Sequence, residues 1–267
     1  MSRPTRVGRR PGPESPVLGP IPDGAVGATR RSVAGMNATR TAIVTGASRG
    51  LGLALARALA ERGWRLVIDA RTEAELEAAR AELAALTEVV AIAGDVADSW
   101  HRGLLVGVAG ERLQLVVNNA STLGASPLPA LAGYPIDVLE HVFRVNAIAP
   151  LALVQLALGQ LPAGGRIVNI TSDAAVEAYD GWGGYGASKA ALEQLSAVLA
   201  AERPDLRVYA VDPGDMNTRM HQEAFPGEDI SDRPPPEDSV PGLLALVEGD
   251  LPSGRYRAAE LAAAAQS

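Results

Sequence analysis

The sequence predicts an α/β protein: a single doubly wound domain, with a central parallel sheet of about seven strands and helices on both faces. Three observations predict it. From Thr39 onward, short apolar runs alternate with helical patterns, the signature of βαβ units and a parallel sheet. The first apolar run leads through a glycine-rich turn straight into a helical pattern. Apolar residues form 47% and charged residues 21% of the 267 residues, a balance that supports one sizeable core.

Residues 1–38 read as a disordered arm rich in proline and arginine. Six prolines fall in the first 22 residues and no apolar periodicity accompanies them. The arm has no secretory-type apolar stretch, and Met36 is an alternative start of the chain. The domain is expected over 39–258, followed by a tail over 259–267. Within it, the first strand is expected at Thr41–Thr45 and the first helix at Leu51–Arg62. A strand at Arg65–Ile68 and a strong helix at Glu73–Leu86 come next. Further strands follow at Val89–Ala93 and Leu113–Asn118. A long helix covers Ile136–Leu158, with Pro150 as its kink point. Then come a strand at Arg166–Thr171, a helix at Tyr185–Glu202 ended by Pro204, and a strand at Leu206–Val211. Gly214–Pro236 contains three consecutive prolines and reads as an irregular, mobile segment. A helix near Ser239–Val247 and a short strand at Arg255–Arg257 close the domain.

Composition excludes several functions. With zero cysteines there is no disulfide scaffold, thiolate metal site or cysteine nucleophile, a pattern that fits a reduced, cytoplasmic setting. His101, His141 and His221 are scattered without metal-ligand spacing, so no metal is expected, and they read as surface or helix-cap residues. The net charge is −7. The arm's six arginines against Glu14 and Asp23 make the body more acidic still, which argues against a nucleic-acid surface. No apolar run reaches the length of a membrane span.

Of the 24 basic residues, the only lysine is Lys189. Arginine serves as generic charge everywhere else, while Lys189 supplies a compact ammonium whose pKa can be tuned. It stands four positions after Tyr185, so on the expected helix both side chains share one face. A phenol with a pKa near 10 is a poor base at neutral pH. A neighbouring ammonium favours phenolate and brings that pKa toward the working range. Ser172, at the end of the fifth strand, can donate a hydrogen bond to a substrate oxygen. The glycine turn, Thr45-Gly46-Ala47-Ser48-Arg49-Gly50-Leu51-Gly52, lets the backbone approach a pyrophosphate at the N-terminus of a helix.

This turn, spaced TGxxxGxG, resembles that of the short-chain dehydrogenase/reductase family, and other family marks follow in order. They are Asp95-Val96 after the third strand, Asn118-Asn119-Ala120-Ser121 after the fourth, Asn146 in the long helix, and Ser172. Tyr185 and Lys189 form the YxxxK pair, and Pro213-Gly214 with Thr218 matches PGxxxT. Ser121 departs from the family by replacing a glycine, making that loop bulkier and more polar. The resemblance covers about residues 39–220. It implies a Rossmann fold and a hydride transfer between a nicotinamide and a carbonyl or secondary alcohol. In the roles it implies, Tyr185 is the general acid/base and Lys189 lowers its pKa and binds the nicotinamide ribose. Ser172 orients the substrate oxygen, and Asn146 holds a water of the proton relay. The cofactor contacts it implies are Gly46, Ser48, Arg49, Gly50, Leu51, Gly52, Ala70, Arg71, Asp95, Val96, Asn119, Ala120, Tyr185, Lys189, Pro213, Gly214 and Thr218. Aligned on family patterns, Ala70 and Arg71 indicate NADP(H), with Arg49 a second cation for the 2′-phosphate. A register slip of one residue would put Asp69 on the ribose and indicate NAD(H).

Candidate substrate contacts are Ser121, Thr122, Asp173, Ala174, Tyr179 and Trp182, with Asp215–Asp232 as a lid. Tyr179 and Trp182 either stack on an apolar substrate or belong to the core or an interface. The resemblance also implies a homodimer or homotetramer. A non-catalytic or regulatory NADP-binding protein on the same fold is the competing reading; such a protein is expected to have lost Ser172, Tyr185 or Lys189.

Overall fold

The structure is a computed structural model that describes residues 40–265; the arm expected over 1–38 lies outside the described residues. Seven strands form one parallel sheet in the order β3-β2-β1-β4-β5-β6-β7. They are β1 (Thr41–Val44), β2 (Arg65–Ala70), β3 (Val89–Ala93), β4 (Leu113–Asn118), β5 (Arg166–Ile170), β6 (Arg207–Asp212) and β7 (Gly254–Arg257). All neighbours pair in parallel, as Ile43 does with Val67 on one side and Val116 on the other.

Side chains alternate along each strand, and the alternation builds two cores. Val44, Ile68, Val117 and Val211 face α1 (Gly50–Glu61), α2 (Glu73–Leu83) and, further on, α8 (Val240–Glu248). Ile43, Val67, Val116 and Val208 face α3 (Ser99–Ala109) and α5 (Ala149–Ala157). The strands are apolar on both sides because helices cover both faces.

Four regions differ from expectation. The helix α3 was not anticipated: Gly103 and Gly107 weaken its helical signal, although Asp98 caps it by accepting from the Trp100 N–H at 2.8 Å. The long helix is interrupted, with α4 (Ile136–Phe143) joined to α5 by one π-helical turn at Arg144–Ile148. That wide turn lies just before Pro150, whose ring cannot sit inside a regular helix. Within the segment read as irregular, Arg219–Ala224 form a short helix, α7, capped by the Thr218 hydroxyl. The last expected tail is instead helical, with α9 at Ala258–Ala265. Alanine has the highest helix propensity, and fully buried Ala258 and half-buried Leu261 dock this helix on the core. The remaining helix, α6, spans Gly183–Glu202. No described helix is long and apolar enough to cross a membrane.

The α8–α9 contact depends on Gly242, where a Cβ would stand 2.1 Å from the Ala258 carbonyl oxygen. Gly242→Ala should therefore force the two helices apart and destabilise the domain by about 1–3 kcal/mol, measurable as a lower midpoint in urea unfolding.

Candidate active site

In a doubly wound sheet the ligand crevice opens where the strand order reverses, which here is between β1 and β4. Thr45, just beyond β1, ties the two strand ends together. Its hydroxyl donates to the Val117 carbonyl at 3.2 Å and accepts from the N–H groups of Asn119 and Ala120, each at 3.0 Å. The Asn119 amide returns the tie, donating to the carbonyls of Thr45 (2.8 Å) and Gly46 (3.1 Å). This leaves a cleft of about 870 Å³ at the carboxyl ends of the strands, within the range of small-molecule sites.

The glycine turn forms one wall. Gly46 has φ +66°, and a Cβ there would meet the Ala120 Cα at 2.9 Å; one on Gly52 would meet the Gly46 oxygen at 2.4 Å. The helix α1 then starts without a side-chain cap or an acidic residue in its first turn. Its unpaired N–H groups, beside cleft-lining Gly50, Leu51 and Gly52, are suited to receive a phosphate. The residues present therefore fit a dinucleotide.

Asp69 is committed elsewhere. It is 1% exposed. One carboxylate oxygen accepts from the Gly46 N–H at 2.8 Å, and the other lies 2.9 Å from Nε2 of His101. Burial pushes its carboxyl above the usual range, while the bonds to His101 and Gly46 pull it back. His101, expected at the surface or as a cap, is thus a buried link from α3 to the turn. It fits only because residue 94 is glycine: a Cβ there would stand 2.2 Å from the imidazole. Ala70 and Arg71, the next residues, line the cleft, as do Arg49, Asp95, Val96, Pro213, Gly214 and Thr218.

The other end of the cleft collects Ser172, Tyr185 and Lys189. The Ser172 hydroxyl donates to Oδ1 of Asp173 at 2.9 Å. Lys189, 2% exposed, donates from Nζ to the Ile170 carbonyl at 2.8 Å and lies 5.4 Å from the centre of the Tyr185 ring. Burial brings the Lys189 ammonium down to about 7. Tyr185 departs from the expected direction. Burial raises its phenol well above the ordinary value, outweighing the hydrogen bonds with Ser121 and Ser172 that favour phenolate. Both members of the pair have lost water, and each is pushed toward its neutral form.

Asn146 does not line the cleft. It is fully buried in the π-helical turn, and its side chain is saturated. Its amide donates to the Thr122 carbonyl (2.9 Å) and the Ser188 hydroxyl (3.0 Å), and its oxygen accepts from Ser121 (3.1 Å) and the Thr122 N–H (2.9 Å). No side-chain site is left for a relay water. Its side chain fixes the loop after β4 against α6. Ser121, the departure from the family pattern, is part of this clamp.

The six candidate substrate residues all line the cleft. Trp182 packs edge-on against Tyr185, ring centres 5.6 Å apart, and also meets Phe225 at 6.0 Å. Tyr179 is exposed, and its hydroxyl lies within hydrogen-bond reach of both Asp173 (3.0 Å) and Glu177 (2.9 Å), with one proton to give to either. Sequence reasoning missed Leu123 on this wall and, within the segment it read as a lid, did not single out Met220, His221 and Phe225. The last three come from α7 and the residue after it, where no helix was expected. Also missed was Arg255 on β7, which donates to the Ser172 carbonyl (3.3 Å) and to Glu193 (2.9 Å). Among the described residues no group of three or more His, Asp or Glu could hold a metal.

A parallel doubly wound sheet with a glycine turn at its switch point and a Ser-Tyr-Lys set facing it defines a dinucleotide-binding oxidoreductase class. The short chain dehydrogenase family model matches residues 40–229. The chain belongs to that family. It is 33% identical over 245 residues to a 3-oxoacyl-[acyl-carrier-protein] reductase of rhamnolipid biosynthesis from Pseudomonas aeruginosa, covering 86% of this chain and 89% of that protein. Mouse sepiapterin reductase is 34% identical over 199 residues, 68% of this chain and 76% of that protein. Among solved structures, a Shigella flexneri short-chain dehydrogenase complexed with NADP aligns with a TM-score of 0.75 at 28% identity. The match covers 82% of this chain and 96% of that one.

The Lys189 shift makes a stability prediction. Its folded pKa, about 7, lies below the unfolded value, so between pH 7 and about 10.4 the unfolded chain binds the extra proton. Wild type should gain stability relative to Lys189→Met as pH rises through that window, by about 1 kcal/mol per pH unit. The gain should vanish below pH 7. Paired denaturation curves at several pH values measure it.

Proposed function

We propose that the protein is an NADP(H)-dependent carbonyl reductase, working reversibly on the corresponding secondary alcohol. The observation that carries this is the convergence of Ser172, Tyr185 and Lys189 at one end of a cleft whose other end is the glycine turn. The reductase names of the relatives and the NADP complex of the Shigella protein support it. NADP(H) is preferred over NAD(H) because Asp69 is spent on Gly46 and His101, while Arg49 and Arg71 line the cleft and suit a phosphate.

Bound NADPH supplies the hydride. The Ser172 hydroxyl exchanges its bond to Asp173 for one to the substrate oxygen and stabilises the charge that develops there. Tyr185, kept protonated by burial, delivers its proton to that oxygen. Lys189, anchored on the Ile170 carbonyl, stands behind the phenol to stabilise the phenolate left after transfer. The edge-packed Trp182 and the neighbouring Phe225 and Leu123 offer an apolar wall, which suits a ketone or aldehyde with an apolar or aromatic substituent. The same reading makes the protein a cytoplasmic homodimer or homotetramer. Exposed Ile136, Ile148 and Leu156 along α4, the π-helical turn and α5 support the association. Sedimentation equilibrium should give a mass two or four times that of one chain.

Tyr185→Phe should cut carbonyl-dependent NADPH oxidation by about 10²–10⁴-fold while NADPH binding, followed by nicotinamide fluorescence, stays intact. Turnover surviving in that variant would refute the mechanism. The raised Tyr185 pKa also gives the two directions different pH responses. Alcohol oxidation needs phenolate and should accelerate from pH 6 to 10, while carbonyl reduction should not; kcat/KM measured both ways tests this.

A further inference from the structure

At the mouth of the cleft, three elements distant in sequence meet through one carboxylate. Glu75, in the first turn of α2, forms an ion pair and hydrogen bond with Arg49 of the glycine turn. Its other oxygen lies 3.6 Å from Arg219, the first residue of α7. Arg219 also bonds Glu223 on its own helix at 3.0 Å. Arg49, Arg71, Glu75 and Arg219 all line the cleft. Glu75 thus joins both walls: one arginine belongs to the cofactor turn, the other to the segment that carries Met220, His221 and Phe225 over Trp182 and Tyr185.

From this geometry we infer that Glu75 is an internal stand-in for the cofactor's 2′-phosphate, and that Arg219 is a specificity-determining residue that closes α7 on the phosphate when Glu75 gives way. The inference rests on the NADP reading of Arg49 proposed above. In the free protein, Glu75 holds Arg49 and Arg219 as a latch. All three side chains are a third or more exposed, and ion pairs of that kind are weak and readily exchanged. A phosphate brings nearly two charges and three acceptor oxygens where the carboxylate has one charge and two. It therefore takes both arginines from Glu75, which carries a like charge and turns outward. A cofactor with a bare ribose hydroxyl cannot make the exchange and leaves the latch as it was. Recognition of the phosphate and settling of the substrate-side helix become one event.

The test uses the full chain with NADPH and NADH, each titrated by nicotinamide fluorescence, on wild type, Glu75→Gln, Arg219→Ala and Arg49→Ala. Cleavage by a glutamate-specific protease after exposed Glu228, beyond α7, gives a readout independent of turnover. Glu75→Gln should bind NADPH roughly three- to ten-fold more tightly and NADH within about two-fold of wild type. Without cofactor, it should be cut faster after Glu228. Arg219→Ala should bind NADPH roughly five-fold more weakly with NADH unchanged, and NADPH should no longer slow the cleavage. Suppose Arg49→Ala loses the preference for NADPH while Glu75→Gln and Arg219→Ala keep the wild-type affinity ratio and cleavage rate. The latch is then wrong and the NADP reading stands. If Arg49→Ala also keeps the wild-type ratio, the NADP reading fails and the latch falls with it.

Discussion

The parting of β1 and β4 is the constraint on which the rest of the site depends. Two parallel strands whose chains leave in opposite directions open a crevice, and backbone polar groups at its floor must still be paired. Thr45 and Asn119 do this between them, using the hydroxyl of one and the amide of the other on each other's backbone. Because those side chains satisfy the floor, the N–H groups at the start of α1 can stay unpaired and available. The brace also explains why the glycines are needed. With Asn119 this close, a side chain at residue 52 would strike its amide at 2.5 Å. Asp69 and His101 extend the brace to β2 and α3, so the turn is held from both sides.

A second constraint acts at the other end of the cleft, where Tyr185 and Lys189 are both withdrawn from water. An ammonium beside a phenol lowers its pKa only if the ammonium is itself charged. Here burial takes the lysine to about 7 and raises the tyrosine. The two groups are thus coupled through the charge state of Lys189, and the balance is set by what enters the cleft and replaces water. A site in this state holds a proton ready on the phenol. That is the state carbonyl reduction requires.

Legibility in the sequence followed the range of the interactions. The strands and the glycine turn come from local periodicity and punctuation, so β3 and β4 appear with the bounds expected of them. Every residue the family motifs implied for the cofactor lines the cleft, most of them at or just beyond strand ends that the topology brings to one edge, with Tyr185 and Lys189 reaching it from α6. Asn146 shows the limit: its motif position was legible, but its saturated side chain is not, since that depends on a π-helical turn and on Thr122 and Ser188. The direction of the Tyr185 shift was hidden for a like reason. Spacing shows that Lys189 is near; only burial shows that both groups are dry. His101 was missed because its helix was missed, two glycines having masked the pattern that places it under Asp69. The α9 helix, compositionally plain alanine, carries no sign in sequence that it has a partner to dock on.

The C-terminal elements act on the chemistry through Ser172. Arg255 reaches from β7 to the Ser172 carbonyl and to Glu193 of α6, and lies 3.5 Å from Asp212 at the end of β6. Glu193 in turn accepts from the Thr171 hydroxyl at 2.8 Å. An arginine with five donors in a fixed plane can hold several acceptors in one geometry. It thereby offsets two carboxylates that would otherwise crowd the residues flanking the serine. The strand that carries Arg255 is at the edge of the sheet and is only four residues long. Its position is therefore secured by the final helix, since α9 begins directly at Ala258 and packs on α8 across Gly242. The last helix of the chain thus supports the orientation of Ser172 without approaching it.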